Sequence, residues 1–188
     1  TNFGWSVSES KFDWPTLMRN KNAELDRLNR IYKTLLSDAS VDLISGRARL
    51  VDPHTVEVAT ASGPRQVTAE TILASTGGWP VKPPVPGLDP VLTSTEALDL
   101  PELPERIVII GGGYIAVEFA GIFNTLGVRV TEVIRADHVL RGFDEDIRRH
   151  LQSEMIRQGV RMKSSVTISK VDNLSGAHKV QLSDGDII

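Results

Sequence analysis

Leu17, Met18, Leu25, Leu28, Ile31, Tyr32, Leu35 and Leu36 recur at three- and four-residue spacing, which places them on one face of a helix. Pro15 lies just inside Asp13, and proline loses nothing at a first helical position. The pattern therefore predicts one long helix over residues 15–37. Short β-type stretches follow at 41–44, 48–51, 56–60 and 66–68, punctuated by Asp52-Pro53 and Ser62-Gly63-Pro64, and they read as a β-meander. Residues 71–76 are apolar enough for a buried strand that stops at Gly77-Gly78.

The pattern then changes. Five of the chain's ten prolines lie between Pro80 and Pro90, where they deny a sheet its donors and stiffen the connection. This is the predicted domain boundary. Beyond it, strand and helix alternate: strand 106–110, helix 113–126, strand 128–134, a helix from Phe143-Asp144 to about Gln158, and strand 160–162. Later strands enclose the turn Asp184-Gly185. Strands joined by helices must run parallel, so the expected fold class is α/β, a doubly wound parallel-sheet (Rossmann-like) unit. It is preceded by a long helix and a meander.

Composition narrows the function classes. The 188 residues suffice for one good core or two modest ones, and a net charge of −3 gives no general attraction to nucleic acid or an anionic membrane. No apolar run approaches the roughly 18 residues of a membrane span. The first residues lack the basic and apolar segments of a secretory signal. The chain has no cysteine, no residue pattern that reads as a metal site, and no residue singled out as catalytic.

The most informative stretch is Ile107-Val108-Ile109-Ile110-Gly111-Gly112-Gly113-Tyr114-Ile115-Ala116-Val117-Glu118. Gly111 permits a tight strand-to-helix turn, Gly113 lets a diphosphate approach the backbone, and Ala116 is small enough for helix-to-strand packing. The unpaired N–H groups and positive end of the helix would then face the anion. Because an apolar strand precedes the motif and a helix and second strand follow it, a dinucleotide site is expected. Which dinucleotide depends on Val130-Thr131-Glu132-Val133-Ile134-Arg135. Glu132 as ribose ligand would mean NAD. Arg135 and Arg141, by contrast, suit a dianionic 2′-phosphate through charge-assisted bonds. On spacing alone both remain open.

The chain resembles the glutathione reductases, FAD-dependent pyridine nucleotide-disulfide oxidoreductases, almost end to end. The likeness is carried by Phe3-Gly4-Trp5, Phe12-Asp13-Trp14, Lys21-Asn22-Ala23-Glu24-Leu25 and Leu28-Asn29-Arg30-Ile31-Tyr32. It continues in Val51-Asp52-Pro53-His54-Thr55-Val56, Thr76-Gly77-Gly78, Gly113 to Gly121, Ile134-Arg135 and Val139-Leu140-Arg141-Gly142-Phe143-Asp144. In the NAD-using lipoamide dehydrogenases a Glu would stand where Ile134 is, so the resemblance implies NADPH, with Arg135 and Arg141 on the 2′-phosphate. It implies that Gly112, Ile115 and Glu118 line the same site and that Tyr114 is a lid over the flavin. Read without it, Tyr114 is a core aromatic and Glu118 merely favours a helix's first turns.

By the same resemblance, residues 1–79 are a partial FAD-binding domain and 80–188 a C-terminally truncated NADPH-binding domain. Ala48 would bond the adenine of FAD, Thr76 and Gly77 would close over FAD, and Tyr32 would contact glutathione disulfide. Tyr32 alone would read as an ordinary core aromatic of an amphipathic helix. The family's amino-terminal GxGxxG and its CxxxxC pair are not in this sequence. The chain is thus expected to be an inactive central portion of a cytoplasmic, homodimeric, NADPH-dependent glutathione-disulfide reductase, with FAD lost from the isolated piece. The alternatives are a reductase of another low-molecular-weight disulfide and a non-enzymatic nucleotide-binding module.

Overall fold

A computed structural model describes residues 10–188, and the Phe3-Gly4-Trp5 motif lies outside them. The elements run α1 (Trp14–Asp38), β1 (Arg47–Asp52), β2 (Thr55–Thr60), β3 (Gly63–Thr68), α2 (Ser94–Ala97), β4 (Arg106–Ile110), α3 (Tyr114–Thr125), β5 (Arg129–Val133), α4 (Glu145–Arg157), β6 (Arg161–Lys163), β7 (Ile168–Leu174) and β8 (Ala177–Leu182). The chain divides into two compact units, Thr16–Trp79 and a second made of Pro80–Ile188 with the described residues up to Pro15.

In the first unit the long helix and the meander form as the pattern predicts. β1, β2 and β3 pair antiparallel in that order, with Ala48 opposite Val58 and Glu57 opposite Gln66. Two expected strands do not form. Residues 41–44 are irregular because Val41 belongs to the helix cap: its N–H reaches Leu36 O at 2.9 Å while Ser40 N–H reaches Ser37 O at 2.9 Å. Those two bonds, with Ser40 at φ 55°, are a Schellman termination. Residues 71–76 join no strand, and Leu73 is 86% exposed. An apolar run becomes a strand only where a neighbour accepts its backbone, and no described strand lies beside it.

The second unit is built on a parallel sheet in the order β4-β5-β6, with Ile109 opposite Glu132 and Glu132 opposite Met162. This is the predicted βαβαβ arrangement, and it makes the chain an α/β protein. Asp144 caps α4 by accepting from the N–H groups of Asp146 and Ile147, and Glu145, Asp146 and Arg157 suit the helix dipole. Val133, on one face of β5, joins a core of Leu88, Ile168, Val171, Val180 and Leu182. Ala120, Phe123, Val128, Val130, Ile134, Val139, Met155 and Val160 are buried too. Trp14 donates its indole N–H to Leu100 O at 2.8 Å and lies beside Phe123.

Two further features depart from expectation. The proline-rich stretch is more than a connection, since Leu88 is buried and Val85 and Val91 pack against the same core. The backbone of Pro86 also accepts from Val171 N–H at 2.9 Å. The hairpin β7–β8 turns between Leu174 and Ala177, where no strand break was expected. Asp184-Gly185 is indeed a turn, but it folds the chain end back so that Ile187 bridges Gln181.

Glu132, the fourth of the five residues of β5, has no exposed surface, and neither carboxylate oxygen has a hydrogen-bond partner. Burial pushes its carboxyl from an ordinary value near 4.5 up to about 7. The unfolded chain ionises this group first, so folding stability falls as pH rises from 4.5 to about 7 and then levels off. At 1.36 kcal/mol per pH unit the loss amounts to roughly 3 kcal/mol. Glu132→Leu should therefore raise the unfolding free energy at pH 8 by about 2–3 kcal/mol, and most of that gain should vanish by pH 4.5. Urea titrations of both proteins across this range measure it. A gain independent of pH would mean that Glu132 does not titrate there.

Candidate functional site

The site is built where β4 gives way to α3. Gly111 adopts φ +125°, a left-handed conformation that a side chain resists, and donates its N–H to Val133 O at 3.0 Å. The turn is thereby tied to the end of the neighbouring strand. Gly112 is pressed against that strand's continuation: a Cβ placed there would lie 2.9 Å from Ile134 Cγ2 and 3.5 Å from Val139 Cα. Its carbonyl accepts from Leu140 N–H at 2.6 Å. Gly113 is the N-cap of α3, and a Cβ placed there would meet open space. No side chain caps the helix and its first turn holds no acidic residue. The leading N–H groups of α3 thus remain available to an anion, with the helix dipole favouring negative charge.

Beside this turn runs the loop of residues 134–144. Arg135 and Arg141 are both exposed, and neither makes an ion pair or side-chain hydrogen bond among the described residues. A third arginine of the region behaves differently. Arg148 of α4 pairs with Glu145 Oε2 at 2.6 Å and donates to Val139 O at 2.8 Å and His138 O at 2.9 Å. Gln152 accepts from Val139 N–H at 3.1 Å and donates to Asp137 O at 3.2 Å. Arg148 and Gln152 were not singled out from sequence. One residue pair at i and i+4 on a charged helix reads as a solvated face, and only their common aim at the loop distinguishes them.

The remaining candidates fall as follows. Tyr114, 66% exposed, and Ile115, 46% exposed, stand at the surface, so Tyr114 is not the core aromatic that its type suggests. Glu118 is exposed on the same helix. Glu132, the alternative ribose ligand, is wholly interior and does not reach the surface of the turn. In the other unit, Ala48 lies in β1 beside a cavity lined with Arg47, Arg49, Glu57 and Ala59. Thr76 and Gly77 are exposed, with Gly77 at φ +70°, and Tyr32 is 63% exposed on α1, so it packs in no core among the described residues. Among the described residues no cluster of His, Asp or Glu could hold a metal ion, and no helix is long and apolar enough to cross a membrane.

Known proteins resemble this chain along nearly its whole length. It is 45% identical over 184 residues to glutathione reductase of Burkholderia cepacia, a match covering 98% of this chain and 40% of that protein. It is 36% identical over 195 residues to trypanothione reductase of Leishmania donovani, covering 97% of this chain and again 40% of the relative. The chain thus spans about two-fifths of the length of these relatives. Among solved structures, the HOCl-induced flavoprotein disulfide reductase RclA from Escherichia coli superposes with a TM-score of 0.85 at 29% identity, over 94% of this chain and 41% of that one. The family model of pyridine nucleotide-disulphide oxidoreductases matches residues 5–188, and to that family this chain belongs.

Proposed function

We propose that the chain forms the NADPH-binding portion, with part of the FAD-binding portion, of a flavoprotein that reduces glutathione disulfide. The observation that carries the coenzyme assignment is a contrast in charge at one place. Arg135 and Arg141 are exposed and without carboxylate partners beside an uncapped helix N-terminus, while the nearest candidate acid, Glu132, is turned into the core. Such a surface favours a ligand with a diphosphate and an additional phosphate monoester. The identity to glutathione reductase supports the choice of disulfide. The identity to trypanothione reductase supports a second reading, a larger glutathione-derived disulfide handled on the same frame.

On this reading the α3 N-terminus and Gly111, Gly112 and Gly113 hold the diphosphate, and Arg135 and Arg141 hold the 2′-phosphate. Tyr114 and Ile115 present an apolar face on which the nicotinamide and flavin edge would rest, and Tyr114 excludes water until displaced. Glu118 orients the nicotinamide end. Ala48, Thr76 and Gly77 would contact FAD, and Tyr32 the disulfide substrate. When bound, the two cofactors supply hydride and electron transfer toward a disulfide. The redox thiols, the rest of the FAD site and a homodimer interface would belong to a longer protein, in the cytoplasm by resemblance to the glutathione reductases alone.

Replacing both Arg135 and Arg141 with alanine removes charge-assisted bonds, each worth roughly 1.5–3 kcal/mol. NADPH affinity is expected to fall by about 100-fold or more, at 1.4 kcal/mol per tenfold, while NADH affinity barely changes. Added salt should weaken NADPH binding more than NADH binding in the parent chain. Calorimetric titration of both coenzymes reads all three, and equal losses for NADPH and NADH would remove the assignment. A second expectation concerns flavin. An affinity drawn from several separated segments largely disappears when most are missing, so the purified 188-residue chain should be colourless. Stoichiometric flavin absorbance surviving gel filtration would contradict this.

A further inference from the structure

The stretch between the two exposed arginines is held with unusual completeness from one side. Asp137 O, His138 O, Val139 N–H and Val139 O are all bonded by just two side chains of α4, Arg148 and Gln152. Gln152 reaches on to Ser164 Oγ at 3.3 Å, and Ser165 Oγ bonds Asp137 Oδ1 at 2.7 Å. The next backbone group, Leu140 N–H, is taken by Gly112 O, with Leu140 held at φ +54°. A non-glycine residue rests there at a cost and persists where its surroundings over-determine it. The loop is therefore fastened to the glycine turn at one end and to α4 along its length.

Arg148 is an unusual fastener. Its side chain is only 15% exposed, and Glu145 neutralises it. Its planar fork spends its donors on two successive carbonyls, geometry that a lysine ammonium does not reproduce. Arg135 lies two residues before Asp137, and Arg141 follows Leu140 directly. α4 thus fixes the backbone that joins the two arginines, while Arg135 itself is flanked by Ile134 and Ala136, whose backbone groups bond Lys163, Val166 and Ser165.

We propose that Arg148 and Gln152 are positioning residues for coenzyme discrimination: they hold the 137–140 backbone so that Arg135 and Arg141 converge on one phosphate. This rests on the 2′-phosphate reading given above. Two long side chains gain little from a shared anion if their backbones wander, because the ordering must then be supplied on binding. A pre-set loop removes that cost. The effect falls on NADPH alone, since NADH offers the arginines nothing to meet.

The test is calorimetric titration of NADPH and NADH on the 188-residue chain, its Arg148→Met, Arg148→Lys and Gln152→Leu variants, the Arg135→Ala/Arg141→Ala variant, and that variant with Arg148→Met added. Arg148→Met should weaken NADPH roughly tenfold and NADH by less than about twofold. Arg148→Lys should not restore it. On the doubly substituted background Arg148→Met should cost NADPH nothing further, since there is no arginine left to place. Should Arg148→Met fail to fold by circular dichroism, Gln152→Leu gives the same comparison. Equal losses for both coenzymes, an undiminished loss on the double background, or full NADPH affinity in Arg148→Met and Gln152→Leu would each overturn the clamp. If the double-arginine variant alone loses NADPH selectively, the phosphate reading stands and the clamp falls. If that variant binds NADPH as the parent does, or the parent binds neither coenzyme, the reading falls and takes the clamp with it.

Discussion

The Rossmann-like unit depends on how closely the glycine turn can lie against the end of β5. Gly112 has no room for a side chain beside Ile134, and that contact brings its carbonyl to Leu140 N–H. Ile134 is also the point where three segments meet: its N–H donates to Lys163 O at the end of β6, and its carbonyl accepts from Val166 N–H. A shift of a fraction of an ångström there would move the glycine turn, the arginine loop and the third strand together, because close-packed interiors transmit displacement. The hydrogen bond from Gly111 to Val133 closes the same corner from the other side.

Charge is sorted around that corner by solvent access. Arg135 and Arg141 face water, where an unpaired charge costs little and stays available to a ligand. Arg148 is largely withdrawn, so Glu145 and two carbonyls compensate it. Glu132 is withdrawn entirely and has no compensation, so it trades its charge for a proton near neutral pH. Three outcomes for ionised side chains within 17 residues of sequence follow from depth alone. An acid within the second strand is not by itself a ribose ligand, because both faces of this strand are covered from Val130 to Val133.

The other unit is organised by local rules more than by a core. β1 to β3 form because short turns bring complementary backbones together, yet Val58 is its only buried apolar residue among the described ones. Leu17, Leu25, Ile31, Tyr32 and Leu35 of α1 remain substantially exposed, and residues 71–76 lack a strand partner. The periodicity of α1 was readable because helix hydrogen bonds are internal to the segment. Residues 71–76 misled because a strand needs a second segment, and apolar character says nothing of whether one is there.

By itself the sequence determined the elements whose physics is local. The 3.6-residue periodicity gave α1, the alternation of strands and helices gave a parallel sheet, and the Gly111–Gly113 spacing gave a strand-to-helix turn open to an anion. Family likeness could also be read there, since it resides in runs of adjacent residues. The tertiary structure decided what depends on depth and on contacts between distant residues. It buried Glu132, drew Leu88 of the proline-rich stretch into the core, and turned Arg148 inward to the loop while leaving Arg135 and Arg141 outside. Three arginines are chemically alike in a sequence. What separates them is whether water or a backbone carbonyl lies within reach of the guanidinium, and only the folded chain sets that distance.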